Sequence, residues 1–223
     1  MRDSDLTRRY FDRSATSFDS LYVNEGRLSY YLNSVFRRAL YERVEITINE
    51  ITELRGCTLL DVGCGSGRNS VAFLNAGASR VVGIDFAEAM LALARQYTVS
   101  NGVSSHAEFI CGDAVSYPFF QSFDVVVALG VFDYISDPRE LLRRMVCLSN
   151  HKVIASFPCY TLIRGTQRKV RYWMKHCPVY FQSPEQLNDL CKEVGLDGYR
   201  LVPCGGAGQV LIGRVGFGLG GGQ

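Results

Sequence analysis

From Cys57 onward the chain repeats one texture: a short run that is apolar nearly throughout, then a segment whose apolar residues fall at three- and four-residue steps. The runs are CTLLDVG (57–63), RVVGID (80–85), AEFICGD (107–113), FDVVVALG (123–130) and KVIASFP (152–158). Between them lie SVAFLNAG, AEAMLALARQY and PRELLRRMVCL, which have helical spacing. Strands apolar on both faces need cover on both, and strands joined by helices run parallel. This alternation therefore predicts an α/β fold of three layers, a mostly parallel sheet between two sets of helices.

Both ends depart from that texture. Residues 1–26 carry Tyr10, Phe11, Phe18 and Tyr22 among charges, and read as a short helical arm. Leu28 to Leu54 follows as one long amphipathic helix, with Leu28, Leu32, Val35, Ala39, Ile46, Ile48 and Ile51 on its apolar side and minor slips in the spacing. Near the other end a helix is expected from Pro184 to Val194, started by Ser183 as N-cap with Glu185 and Gln186 in its first turn. GYRLVPC and QVLIGRV then flank the turn GGAG (205–208), a hairpin signal and so an antiparallel pair. The organisation expected is an N-terminal arm and cap over 1–56, one domain over 57–215 with a lid insertion at 160–183, and a glycine-rich tail at 216–223.

With 47% hydrophobic and 21% charged residues the chain has globular proportions, which excludes a disordered one. Its longest apolar run, VVVALGVF (125–132), is less than half a membrane span, and the charged start MRDSDLTRRYFDRS lacks the apolar centre of a secretory signal, so a cytoplasmic protein without a transmembrane segment is expected. The eight cysteines include no C-x-x-C pair and lie mostly in apolar segments, which reads as buried free thiols. His106, His151 and His176 share no ligand spacing, so no metal site is expected. A net charge of +2 says little about partners and supports RNA binding poorly, and no DNA partner is expected.

The stretch LLDVGCGSGRNS (59–70) joins the first strand to a helix through three glycines. Such a turn lets a ligand approach the backbone and points a helix amino terminus at it. A dinucleotide fingerprint would need glycines at 63, 65 and 68, and position 68 is Arg68. The spacing present is Asp61, Gly63, Gly65, Gly67, and an NAD-linked oxidoreductase is disfavoured. Asp85 ends the second strand and Asp113 the third. Taken singly, Asp85 could merely cap the following helix, Asp61 could stabilise a turn, and Asp113 could sit in a surface turn.

Together these elements resemble the class I S-adenosylmethionine-dependent methyltransferases, strongly over 57–158 and in pattern elsewhere. The resemblance implies a Rossmann-like seven-stranded sheet whose last strand is antiparallel, and S-adenosyl-L-methionine as cofactor with S-adenosyl-L-homocysteine as product. It further implies that Asp61 shapes the glycine turn and faces the methionine amino group beside Gly63, Cys64, Gly65 and Gly67. Asp85 would hold the ribose and Phe86 the adenine edge, while Asp113 and the Ala114 N–H would meet the adenine polar atoms. Leu129 and Gly130 would line the methionine portion, and Tyr10 in the arm would touch its carboxylate.

Members that methylate exocyclic amino groups of nucleic acids or glutamine carry an N-P-P-Y type sequence after the fourth strand. Here GVFDYISDP stands in its place, which favours O- or N-methylation of a small molecule, foremost O-methylation of an acidic or phenolic metabolite. Asp133, Tyr134 and His176 are the candidate base residues, each with a structural role as the alternative. Arg164, Arg168, Lys169, Arg171 and Lys175 make 160–183 the most basic part of the chain, either a solvated face or a lid that meets an acidic acceptor. An RNA-binding or RNA-modifying methyltransferase that uses the basic lid is the alternative function. The arm and long helix also loosely resemble those of magnesium-protoporphyrin carboxyl methyltransferases.

Overall fold

A computed structural model describes residues 27–159, 179–205 and 208–216, with side chains from residue 40 onward. The expectations for Tyr10, His176, the arm, most of the basic insertion and the end of the glycine tail lie outside the described residues. In chain order the elements are α1 (Arg27–Thr52), β1 (Thr58–Val62), α2 (Arg68–Asn75), β2 (Arg80–Asp85), α3 (Glu88–Ser100), β3 (Ala107–Cys111), β4 (Phe123–Ala128), α4 (Arg139–Leu148), β5 (Ser149–Pro158), α5 (Pro184–Glu193), β6 (Gly198–Cys204) and β7 (Gly208–Arg214). Short 3-10 turns at Ser104–His106 and Phe132–Tyr134 complete them.

The seven strands form one sheet in the order β3-β2-β1-β4-β5-β7-β6. Strands β1 to β5 pair in parallel, and β7 lies antiparallel between β5 and β6. The hairpin read from the glycine turn is therefore present, and it inserts its second strand into the sheet rather than adding it at the edge.

Alternation along each central strand divides the core into two. Leu60, Val62, Val126, Ala128, Val153 and Phe157 face α4 and α5, where Leu142, Met145 and Leu187 cover them. Leu59, Val125, Val127 and Ile154 face the other way, toward Ile51 of α1 and Phe73 of α2. Phe73 and Leu59 are fully buried, and removing such a side chain from water is worth about 1.5–3 kcal/mol. Parity on the strands alone thus makes three layers.

The boundaries differ from the sequence reading in an informative way. β1, β3 and β4 stop one or two residues early because Gly63, Gly112 and Gly130 leave the ladder at its carboxyl edge, where the site lies. β5 instead begins three residues early, at Ser149, because a register shift against β4 accommodates the polar residues Asn150 and His151. α5 opens with the expected capping box: Ser183 Oγ accepts from Gln186 N at 3.2 Å while Gln186 Oε1 accepts from Ser183 N at 2.8 Å. The reading of the cysteines needs correction: Cys57, Cys64, Cys191 and Cys204 are buried free thiols, but Cys111 and Cys147 are exposed, because each points outward from its element.

Candidate active site

The strand order reverses direction between β1 and β4, and in an open parallel sheet the carboxyl edge at that switch is a natural crevice. The segment 63–67 fills the β1 side of it. Gly63 N donates to Ile84 O at 2.8 Å and Gly67 N to Cys64 O at 3.0 Å, so the turn is held to β2 and closed on itself. Gly63 has φ 67° and faces Val131, which leaves no room for a Cβ. Gly67, φ 73°, is the N-cap of α2 and sits against Ala94 of α3. Both positions need glycine for backbone conformation and for closeness together.

Asp85 organises the turn from the end of β2. One oxygen accepts Gly65 N at 3.0 Å and the other Ala87 N at 2.9 Å, so this carboxylate both closes the glycine loop and starts the chain into α3. Phe86 is half-buried beside it. Asp113, exposed after β3, accepts Val115 N at 3.0 Å in a local Asx turn, next to the buried Ala114. The helix-start and turn roles open to Asp85 and Asp113 from sequence are thus both present, at positions that border one crevice.

Asp61 is different. It is 1% exposed, on the sheet face shared with Leu59, and Ser70 Oγ of α2 donates to it at 2.6 Å. Burial is the main cause that raises its pKa to about 7; the Ser70 hydrogen bond pulls the other way, and the Asp85 charge adds to the rise. Cys64, buried beside it, has its thiol pushed well above the ordinary range, again chiefly by desolvation. Neither group lies open to solvent.

Across the crevice, Leu129 is buried and Gly130 N donates to Ser156 Oγ at 2.8 Å, which turns the chain out of β4 with φ 81°. Against Gly130 lies Arg43 of α1, whose two terminal nitrogens stand 3.0 Å from the place a Cβ there would take. Arg43 Nε is buried without a hydrogen-bond partner, and among the described residues no acidic group pairs with this guanidinium. An unanswered buried donor on a cation at the site mouth is the donor set that a carboxylate requires.

Arg43 escaped the sequence reading, although a signal was there. The steps Leu28, Leu32, Val35 and Ala39 continue inward through Arg43, Thr47 and Glu50, so the slips in apolar spacing mark polar residues on the buried face. Thr47 and Glu50 are 0% and 6% exposed. Arg68, which displaces the third dinucleotide glycine, turns aside and stacks over Tyr97 with 4.8 Å to the ring centroid.

Asp133 and Tyr134 lie in the 3-10 turn directly after this crevice. Asp133 is 5% exposed, and its carbonyl accepts Tyr180 N at 2.9 Å, which ties the chain after the basic insertion to the turn.

A doubly wound sheet with a glycine turn at its switch point and acids at the ends of successive strands defines the class: a Rossmann-like domain for a nucleoside-bearing cofactor. Residues 59–150 match the family described as a methyltransferase domain, and over that stretch the chain is similar to class I S-adenosylmethionine-dependent methyltransferases. Curated relatives include ubiquinone biosynthesis O-methyltransferases of Pseudomonas fluorescens, 38% identical over 96 residues, and of Pseudomonas paraeruginosa, 40% identical over 96 residues. The matched segment is 43% of this chain and 41% of either relative's length. Among solved structures, magnesium protoporphyrin IX methyltransferase from Synechocystis PCC 6803, with bound SAH, superposes with a TM-score of 0.78 at 18% identity over 96% of this chain and 100% of that one. No described helix is long and apolar enough to cross a membrane.

Proposed function

We propose that this chain transfers a methyl group from S-adenosyl-L-methionine to a small-molecule acceptor, foremost an acidic or phenolic hydroxyl, and releases S-adenosyl-L-homocysteine. The cofactor supplies an electrophilic methyl on a sulfonium; the chain's own task is to hold both partners in line and exclude water.

The observation that carries the reading is the opposed pair flanking the glycine turn. Asp61 lies beneath β1 and Arg43 over Gly130, an acid and a base on the same side of the sheet, as a zwitterionic amino acid requires. Arg43 takes the methionine carboxylate, a role that the sequence reading assigned to Tyr10. Asp61 acts on the amino group through the field under the turn, with Gly63, Cys64, Gly65 and Gly67 forming the wall and Leu129 and Gly130 the opposite one. Asp85 receives the ribose hydroxyls, since it ends β2 at the crevice and a carboxylate oxygen can accept more than one hydrogen bond. Phe86 packs on the adenine edge, and Asp113 with the Ala114 N–H meets its polar rim.

The acceptor enters on the side of Asp133 and Tyr134, which stand as the base candidates together with His176. O-methylation is supported by relatives named for that reaction in ubiquinone biosynthesis, and a small acceptor by the named likeness to a magnesium protoporphyrin IX enzyme. RNA modification finds no such support, and the basic residues 164–175 on which it depended lie outside the described residues. The test is calorimetry with S-adenosyl-L-homocysteine, then a screen of phenols and carboxylic acids scored by release of that product. No uptake of it by the wild-type chain would overturn the reading.

A further inference from the structure

We propose that Lys152 is a positioning residue for the cofactor: with Glu50 and Glu53 it sets how far along the sheet α1 lies, and thereby where Arg43 presents its guanidinium. The inference rests on the reading of Arg43 given above.

Lys152 stands on β5, on the face covered by α1, with its side chain 8% exposed. Its ammonium has three protons and three acceptors: Glu53 Oε2 at 2.6 Å, Glu50 Oε2 at 2.8 Å and the Glu50 carbonyl at 3.3 Å. Burial opposes the charge, and the hydrogen bonds to Glu50 and Glu53 more than offset it, so the ammonium's pKa is raised. Arg200 of β6 reaches the remaining Glu50 oxygen. Every polar atom of the buried cluster is answered from a different element.

The rest of this helix face is Val44, Ile48 and Ile51 against strand side chains, with the Thr47 hydroxyl bonded inside the helix to Arg43 O, contacts that tolerate a slide. An ammonium held by three directed bonds does not, which is the register role that buried polar groups play best. Arg43 is two helical turns from Glu50, about 10 Å. Lys152 is level with Val125 of β4, five residues or about 16 Å before Gly130. Helix and strand therefore run opposite ways, and Arg43 and Lys152 mark opposite ends of one stretch of α1 along the strands. Near the mouth Glu42 Oε2 accepts Gly205 N at 2.6 Å, so α1 is also tied to the β6–β7 turn. A helix held at Glu42 and again at Glu50 delivers Arg43 to one place.

The experiment is a double-mutant cycle read by calorimetry with two ligands, S-adenosyl-L-homocysteine and methylthioadenosine, which lacks the amino-acid portion. Lys152→Met should raise the dissociation constant for the first about five- to tenfold and leave the second unchanged; in an Arg43→Met background it should add nothing. Glu53→Gln, which alters only an exposed partner, should give the same selective change at about two- to threefold, and serves if Lys152→Met does not fold. Unchanged homocysteine-ligand affinity in both variants, equal loss for both ligands, or additivity with Arg43→Met would overturn the proposal. A wild-type chain that binds neither ligand would instead overturn the reading of the site, and a chain in which only Arg43→Met is silent would overturn the role of Arg43.

Discussion

The two halves of the crevice are built on opposite principles. On the side of β2 and β3, Asp85 and Asp113 sit at strand ends, half-buried or exposed, and each is steadied by a backbone N–H two residues on. On the side of β1 and β4, Asp61 is withdrawn from water under the turn, and Arg43, half-buried on α1, has its Nε shut away from solvent. Local hydrogen bonds suffice where carboxylates can remain hydrated. Where charges are buried the molecule needs distant elements to hold them, because an unpaired buried charge is expensive in free energy.

The sharpest way to break this contrast is Gly63→Val. A β-branched residue at φ 67° that also meets Val131 should abolish binding of S-adenosyl-L-homocysteine and methylthioadenosine alike, a loss of about a hundredfold or more in calorimetry. Asp85→Ala removes one carboxylate from both the loop and the ribose, and both ligands should weaken by about thirty- to a hundredfold. Arg43→Met should weaken only the ligand that carries a carboxylate, by about ten- to thirtyfold; equal loss of both ligands would show that the halves are not separate.

Titration sharpens the comparison. Asp61 ionises only near 7 in the ligand-free protein, so it is largely protonated at pH 6 and charged at pH 8. The cationic amino group prefers the charged form, so affinity for S-adenosyl-L-homocysteine should fall as pH drops below 7, by at most about tenfold per unit, and level off above it. Stability of the ligand-free chain should move oppositely. Its folded pKa is above the unfolded value, so the folded state binds the extra proton between about 4 and 7, and stability declines as pH rises through that window. Asp61→Asn should flatten both profiles. The smallest effect is outside both halves: Ser183→Ala removes the α5 capping box and should lower unfolding free energy by about 1 kcal/mol without touching ligand affinity.

Much of this molecule is legible in one dimension. The strands of the parallel half, the antiparallel hairpin, the N-cap at Ser183 and the turn of Asp61, Gly63, Gly65 and Gly67 are local patterns, each with its own periodicity or backbone demand. Asp85 and Asp113 were readable because the first ends β2 and the second follows the end of β3 by two residues. Lys152 and Arg43 were not, because a charge in sequence carries no sign of whether it is solvated, and Glu50 lies about a hundred residues from its partner.

What the chain determines by itself is therefore whatever repeats or turns over a few residues, since those choices are made by backbone conformation and by the side of an element on which apolar atoms fall. Only the folded sheet decides that α1 lies along its face, that a lysine meets two glutamates, and that an arginine stands over Gly130. Those placements follow from exclusion of water between surfaces remote in sequence, and that energy is not a property of any short stretch.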